Sequence, residues 1–318
     1  MFTSMKKAWA ASALAVASLA GCTASSDLSA IKAERLKPIQ RYDITQALAA
    51  NGQSIVAGTQ SGIALVSLDQ GKSWSRQALG PVSLIGLTTC PDGSYLGIDF
   101  YHKVWTADVK GANWQSVALD KPRVPLTVTC DSKGQWWVAG SGTKIAKSAD
   151  QGKNWQVTDL GEDAQFTTLQ FIDDFGIAMG EFGMVVTSHD GGATWKAGNK
   201  IPNDFYPYAT LMLSKNEGWS SGIAGQLLHT SDGGATWQKG ENTSHAPLYR
   251  LFLHDGQLYG AGAGGVVARL DKGVWRAMPY PDALPMFLGA AASLNTKDSA
   301  IAIGGPAGLL RVVGTKNN

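Results

Sequence analysis

Six tryptophans recur at nearly equal intervals along this chain, and their spacing restricts the fold more than any other feature. They lie 38 to 42 residues apart, at Trp74, Trp114, Trp155, Trp195, Trp237 and Trp275. Periods of this length are typical of arrays in which each unit contributes four short strands, and such units pack radially around a central channel. The period therefore predicts an all-β propeller.

A short motif, Ser/Thr-x-Asp-x-Gly-x-x-Trp, ends four of these units. Its aspartates are Asp69, Asp150, Asp190 and Asp232. Two degenerate copies fill the gaps: Asp108 precedes Trp114 with one extra residue, and Asp271 precedes Trp275 with one residue fewer. In a hairpin turn the Asp accepts backbone N–H groups and the Gly adopts positive φ, so the motif predicts a structural role. This Asp-box occurs in enzymes and non-enzymes alike and indicates no activity.

The chain after Trp275 contains three more strand-like segments and no further Asp-box. They are Phe287–Leu294, Ser299–Ile303 and Leu309–Val313. We expect Lys37–Asp43, which precedes the first unit, to supply the missing outer strand of this last blade, because such closure leaves no unpaired edge where the ends meet. Six units with an Asp-box and one composite unit predict seven blades.

The N-terminal residues read as an export signal. Lys6 and Lys7 precede an apolar run that ends in Leu19-Ala-Gly-Cys22, and this ending resembles the lipobox of bacterial lipoproteins. We expect Cys22 to be acylated, which would anchor the protein permanently; an ordinary signal with an incidental Cys is the alternative. The residue after this cysteine is Thr23 and not Asp. By the sorting rule of bacterial lipoproteins, this favours the outer membrane. The expected location is therefore the cell envelope, facing the periplasm.

These features predict three segments and a monomeric propeller. The segments are 1–21 as signal peptide, 22–37 as lipidated tether and 38–318 as one propeller domain. No other stretch approaches the roughly 20 apolar residues that a membrane span requires. With Lys6 and Lys7 in the signal, the remaining chain carries 25 basic and 25 acidic residues. It shows no basic cluster, so nucleic acid is not an expected partner.

One repeat carries a family resemblance. The segment 211–237, with Glu217-Gly-Trp-Ser-Ser-Gly222 followed by an Asp-box, resembles the repeat of the photosystem II stability/assembly factor family, a group of BNR-repeat propellers. The resemblance implies a seven-bladed, lipid-anchored scaffold that assists a membrane protein complex, without catalysis and without a cofactor. Relatives with this repeat occur in bacteria without photosynthesis, so the expected complex is unidentified, with a transporter as one example. The family also carries a patch of arginines that contacts its partner, and this sequence shows no full counterpart of that patch.

One face of the propeller is the expected binding face, since the blade-linking loops and the inner glycine-rich turns share it. The linking loops are predicted to carry Arg123, Phe205, Tyr206, Tyr208, Tyr249, Arg250, Met286 and Phe287. The inner turns are predicted to carry Gln60, Phe100, Tyr101, His102, Glu181 and Phe182. Aromatic and Arg residues on one face are typical of interaction hot spots. Packing between blades is the alternative for several of these rings.

A carbohydrate-active propeller, either a glycosidase or sialidase-like enzyme or a glycan-binding protein, is the alternative function. Glycosidases need two facing carboxylates, and Glu181 with Asp99 or Asp204 would be the candidates. The chain has no sialidase-type Arg-Ile-Pro segment, and we assign no catalytic residue. Its five histidines lie in different repeats without ligand spacing, so we expect neither a metal nor a cofactor.

Cys90 and Cys130 are one repeat apart and are predicted at matching places on neighbouring inner strands. An oxidising periplasm would permit a disulfide. Neighbouring inner strands could also hold the two Cα atoms beyond the roughly 7 Å over which a disulfide can form. The sequence leaves both outcomes open.

Overall fold

The computed structural model describes residues 27–294 and 299–315, in two units, Met1–Leu36 and Lys37–Asn318. The described part of the first unit contains an exposed helix, α1 (Ser29–Arg35), which falls within the predicted tether. The predicted signal peptide and Cys22 lie outside the described residues. No helix in the described part of the chain is long and apolar enough to cross a membrane.

The second unit folds into seven sheets, which we number as blades 1 to 7. Blades 1 and 2 contain β1 (Thr45–Ala50), β2 (Ile55–Thr59), β3 (Ile63–Ser67) and β4 (Ser75–Ala78), then β5 (Leu84–Thr89), β6 (Tyr95–Asp99), β7 (Lys103–Ala107) and β8 (Gln115–Ala118). Blades 3 and 4 contain β9 (Pro125–Cys130), β10 (Trp136–Gly140), β11 (Lys144–Ser148) and β12 (Gln156–Asp159), then β13 (Phe166–Ile172), β14 (Phe175–Gly180), β15 (Val185–Ser188) and β16 (Lys196–Ala197).

Blade 5 contains β17 (Pro207–Met212), β18 (Gly218–Gly222), β19 (Leu227–Thr230) and β20 (Gln238–Lys239). Blade 6 contains β21 (Glu241–Asn242), β22 (Leu248–His254), β23 (Gln257–Gly262), β24 (Val267–Asp271) and β25 (Val274–Ala277), and β21 pairs parallel to β25 at its outer edge. Blade 7 contains β26 (Ala290–Ser293), β27 (Ala300–Gly304) and β28 (Leu310–Gly314). Three short 3₁₀ turns connect strands at Glu181–Gly183, Ile223–Gly225 and Ala263–Gly265.

The seven sheets form a closed ring. The inner strands β1, β5, β9, β13, β17, β22 and β26 contact one another in this order, and β26 contacts β1. The prediction of an all-β, seven-bladed propeller is therefore confirmed.

The apolar core of the ring lies in the seams between blades. The second strand of a blade is packed on both faces, so β2, β6, β10 and β14 are buried at every residue. In the seam between blades 3 and 4, for example, Trp137 packs against Phe171 and Trp195. The stability of the ring therefore depends on contacts between consecutive repeats.

The Asp-box turns have nearly identical geometry in the four complete copies. In blade 1, Asp69 Oδ1 accepts the Ser73 backbone N–H at 2.8 Å, and Ser67 Oγ accepts that of Gly71 at 2.7 Å. Gly71 has φ +84°, a backbone conformation in which a residue with a side chain would be strained. These hydrogen bonds, led by those from Ser73, lower the pKa of Asp69 to about 2. In the degenerate copy at Asp271 the carboxylate instead lies 3.8 Å from Arg276 Nε.

The prediction that Lys37–Asp43 forms an outer strand is wrong. The segment is a turn, in which Asp43 accepts the Gln40 N–H through its side chain at 2.7 Å and donates its own N–H to the Gln40 carbonyl at 2.9 Å. Pro38 has no N–H for a strand ladder. Blade 7 has three strands among the described residues. The segment still joins the two ends of the ring, because the Asp43 carbonyl accepts the Gly308 N–H at 2.9 Å.

A buried histidine joins blades 6 and 7. His254 is 1% exposed; its Nδ1 lies 2.8 Å from Ser293 Oγ, and its Nε2 lies 3.1 Å from Ser299 Oγ and 2.9 Å from Thr315 Oγ1. Burial lowers the pKa of His254, although the carboxylate of Asp255, 3.7 Å from Nε2, opposes this shift. The seam therefore favours the neutral ring.

We expect acid to weaken this seam through His254. Because its pKa is lower in the folded protein, the unfolded chain binds the proton first, and stability is lost as the pH falls below about 6.5. Urea denaturation at a series of pH values should show a smaller loss of stability on acidification for His254→Gln than for the wild type. Parallel pH profiles for the two proteins would exclude this role of His254.

Cys90 and Cys130 form a disulfide between blades 2 and 3. Their Cα atoms lie 5.2 Å apart, within the normal range for a disulfide. Neighbouring inner strands are therefore close enough for a disulfide at the end where the two cysteines lie.

Candidate functional site

The inner strands of blades 1 to 6 share a feature that shapes the end of the channel beside the linking loops. The register of each strand shifts at its second residue, as at a β-bulge. The residues at the shift are Gln46, Ile85, Leu126, Thr167, Tyr208 and Tyr249. Bulges bend a strand and redirect a side chain. The repeated bulge therefore brings one residue per blade to the same end of the channel.

Two of these bulge residues belong to a continuous aromatic row. Tyr206 contacts Tyr208 with ring centroids 5.8 Å apart, Tyr208 contacts Tyr249 at 5.2 Å, and Tyr249 contacts Phe287 at 6.4 Å. All three contacts are edge-to-face, a favourable geometry for aromatic pairs. Phe287 is 46% exposed and the three tyrosines are half-buried. We call these four residues the aromatic row; it crosses blades 5, 6 and 7.

An acidic residue stands beside one end of the row. Burial, followed by the negative charge of Glu181 and the neighbouring Tyr208, raises the pKa of Tyr206. Its hydroxyl therefore stays protonated over the physiological range. The hydroxyls of Tyr206, Tyr208 and Tyr249 make no hydrogen bond within the described part of the chain. The row thus presents apolar ring surface together with polar groups that can pair with a partner.

The central channel begins beside this row. Its cavity has a volume of about 380 Å³ and is lined by residues of all seven inner strands. Arg250 of β22 lines it, together with Thr88, Thr127 and Gln170. Arg250 donates to the backbone carbonyls of Tyr249 at 2.9 Å and of Gln46, in blade 1, at 3.2 Å.

Most of the predicted face residues lie at the surface, but four need correction. Phe205 is 3% exposed and belongs to the core between blades 4 and 5, where it packs close to Gly222. Tyr208, Tyr249 and Arg250 lie on inner strands instead of in linking loops. The remaining residues occupy loops or turns and are exposed or half-buried: Gln60, Phe100, Tyr101, His102, Arg123, Glu181, Phe182, Tyr206, Met286 and Phe287.

Phe100 and Tyr101 form a separate exposed pair. They are 58% and 61% exposed and contact each other edge-to-face at 5.9 Å. They lie in the inner turn of blade 2, so other blades separate them from the aromatic row of blades 5 to 7 on either side of the ring. The structure therefore does not gather the predicted aromatic residues into one patch.

Two of the candidate catalytic carboxylates, those of Asp99 and Glu181, have structural partners. Asp99 is fully buried, and its carboxylate accepts Trp105 Nε1 at 2.8 Å and two backbone N–H groups. Glu181 Oε2 accepts the Gln165 N–H at 3.0 Å. Asp204 is exposed in a linking loop. The Asp99 carboxylate therefore stabilises its own turn and does not face the channel mouth.

The six residues at the register shifts were not predicted as a set from the sequence. A signal was present, since Leu126, Thr167, Tyr208 and Tyr249 follow one another at equal intervals of one repeat. The residue types at these positions differ widely, however, so the pattern could not be recognised before the register shifts were known. Within the described residues no group of three or more His, Cys, Asp or Glu is arranged to hold a metal ion.

The family profile described as photosynthesis system II assembly factor YCF48 matches residues 106–211 and 159–248. The chain is thus a BNR-repeat propeller that resembles the photosystem II assembly factor family over residues 106–248. Two solved YCF48 structures superpose with a TM-score of 0.69 each: one bound to a D1 peptide, 14% identical, covering 88% of this chain and 96% of that one, and one from Cyanidioschyzon merolae, 16% identical, covering 88% and 98%.

Enzymes share this architecture. Virginiamycin B lyase from Staphylococcus aureus superposes with a TM-score of 0.72 at 13% identity, covering 87% of this chain and 96% of the lyase. At such identities the structural likeness shows the fold alone. No curated protein has a significantly similar sequence.

Proposed function

We propose that this protein is a non-catalytic, lipid-anchored scaffold that binds a membrane protein and assists the assembly or stability of its complex. The aromatic row is the observation that carries this proposal. Half-buried tyrosines in edge-to-face contact are already ordered, so binding a partner costs little side-chain entropy. The similarity to the YCF48 family supports the same kind of role, because one of the similar YCF48 structures is bound to a peptide of D1.

A segment of polypeptide is the ligand that suits the row. The row crosses three blades, and its consecutive ring centroids lie 5.2 to 6.4 Å apart. Alternate side chains of an extended segment project on the same side with a comparable spacing. The free tyrosine hydroxyls could pair with its backbone groups. We therefore propose that a loop or terminus of the membrane protein lies along blades 5 to 7.

The lipid anchor would hold the propeller close to such a partner. We propose acylation of Cys22, attachment to the outer membrane and exposure to the periplasm, on the strength of the lipobox-like segment that ends at Cys22. Confinement to the membrane raises the effective concentration of the binding face near its partner. A weak individual contact would then be sufficient.

A crosslinking pull-down from membranes tests this proposal. Wild-type protein should recover a specific membrane complex, and the double variant Tyr208→Ala/Tyr249→Ala should lose most of it, because truncation of interface hot spots costs about 2 kcal/mol or more each. Phe100→Ala/Tyr101→Ala is the matched control, because it removes two aromatic rings from another blade. The Cys22→Ala variant should leave the membrane fraction.

The Phe100→Ala/Tyr101→Ala control distinguishes a specific site at the aromatic row from non-specific binding by any exposed aromatic residue of the face. Equal losses in both double variants would contradict a site at the aromatic row. Recovery that neither variant changes would place the partner elsewhere on the molecule. Circular dichroism spectra of the purified variants should match that of the wild type, so that a loss of binding is not a loss of folding.

The hydrolase alternative receives less support. It requires two carboxylates at the channel mouth, and Asp99 is buried in hydrogen bonds to its own turn. Glycan binding by the aromatic row does not need these carboxylates. A glycan array probed with the wild type and the Tyr208→Ala/Tyr249→Ala variant would separate it from protein binding.

A further inference from the structure

Arg250 is a feature of the channel that the repeat does not require. It is the first residue after the bulge of β22 and pairs with Ala261 of β23. The corresponding residues of the other five bulged strands are small: Ala47, Gly86, Thr127, Thr168 and Ala209. One blade thus places a long cationic side chain where the others leave space.

The guanidinium of Arg250 has no counter-ion among the described residues. Its two hydrogen bonds go to backbone carbonyls, those of Tyr249 and Gln46. A guanidinium has five N–H groups, so the others have no acceptor among the residues that the structure describes. Burial lowers the pKa of Arg250, and no carboxylate opposes this shift. A cation that is withdrawn from bulk water without a charged partner is costly, and a bound anion would remove much of that cost.

The channel has the space and the donors to accept such an anion. Its cavity of about 380 Å³ is enough for a small organic acid, and the described lining contains no Asp or Glu. Thr88 and Thr127 line it with hydroxyls that make no hydrogen bond to any described residue. The inner strand of blade 7 has small side chains here, with alanine at residues 290–292. Arg250 therefore extends past it as far as Gln46 of blade 1.

We propose that the central channel is a binding site for a small oxyanion, of the carboxylate or phosphate type, held by Arg250. The planar fork of the guanidinium can donate two parallel hydrogen bonds to either group. Hydroxyls of the lining would supply further donors. Tyr208 of the aromatic row also lines this cavity, but anion binding by Arg250 inside the ring does not require the scaffold function.

The competing explanation is that Arg250 only ties blade 6 to blade 1. A tie needs the two carbonyl contacts and no ligand. It predicts that removal of Arg250 destabilises the ring and that anions have no specific effect. The two explanations therefore differ in a binding measurement on the wild-type protein.

Isothermal titration calorimetry on the folded mature protein provides that measurement. Sodium succinate and sodium phosphate are titrated separately, with sodium chloride at equal ionic strength as the reference. We expect one site per propeller for at least one of the two anions, and the one that binds more tightly identifies the ligand type. Arg250→Gln should weaken that binding at least about 10-fold, the size of effect expected for a charge-assisted hydrogen bond.

Two further variants keep the test decisive. Arg276→Gln removes an exposed arginine on the outer strand of the same blade and should leave the affinity unchanged. Arg250→Lys keeps the charge without the planar fork and should bind more weakly than the wild type but more tightly than Arg250→Gln. If Arg250→Gln does not fold, the titrations of the wild type and of Arg250→Lys still distinguish an anion site from a purely structural role. No binding of either anion by the wild type, or equal binding by Arg250→Gln, would overturn the proposal.

Discussion

Replacing Trp137 with alanine should lower the free energy of unfolding by about 4 kcal/mol, because truncation of a large buried ring loses its burial and leaves a cavity. The ring is 1% exposed in the seam between blades 3 and 4, and its centroid lies 4.5 Å from that of Phe171. The adjacent Asp-box turn fits closely against it, since a Cβ built on Gly192 would lie 2.1 Å from its Cη2. Little in this seam can collapse to fill the space.

The substitution also removes a polar contact. Trp137 Nε1 donates to Asp131 Oδ2 at 3.0 Å, and Asp131 keeps the N–H groups of Lys133 and Gln135 at its other oxygen. Guanidinium denaturation measures the effect, with Val157→Ala on the outer strand of blade 3 as the control. Val157 is 41% exposed, so its truncation should cost less than about 1 kcal/mol. A loss at Trp137 no larger than at Val157 would mean that the seam is loosely packed.

The second large effect is expected at Asp43, where the N-terminal segment is fastened to the ring. Asp43 has a fully buried carboxylate that binds Arg76 in the bidentate manner, at 2.6 and 2.9 Å. Arg76 also donates to the Pro38 carbonyl at 3.0 Å, and its hydrogen bonds to the Asp43 carboxylate raise the pKa of Arg76. Asp43→Asn should therefore destabilise the protein by about 3 kcal/mol, the lower part of the range for breaking a buried pair.

An exposed ion pair provides the control for Asp43. Lys215 and Asp174 also make an ion pair, but their side chains are 47% and 60% exposed. Asp174→Asn should therefore cost less than about 1 kcal/mol. A double-mutant cycle of Asp43→Asn and Arg76→Gln should show strong coupling between the two residues. A cost at Asp43 equal to that at Asp174 would mean that the N-terminal turn does not hold the ring closed.

The number of blades and their turns could be predicted because the signals are local and repeated. Each hydrogen bond of an Asp-box joins residues no more than five positions apart, as between Ser67 and Asp69 and between Asp69 and Ser73, so its geometry follows from its sequence. A period of one blade then sets the number of units, since each needs a neighbour to bury its second strand. The chain alone thus determined an all-β propeller of seven blades.

Other features depended on how distant segments meet, and only the tertiary structure decided them. The approach of neighbouring inner strands brings Cys90 and Cys130 within bonding distance, and the turn around Asp43 replaces the expected strand because its buried carboxylate is bound by Arg76 from blade 1. The bulges that place Tyr208 and Tyr249 at the channel mouth shift a register that sequence periodicity cannot show. Side-chain direction in a strand alternates with every residue, so a one-residue bulge decides which groups face the channel.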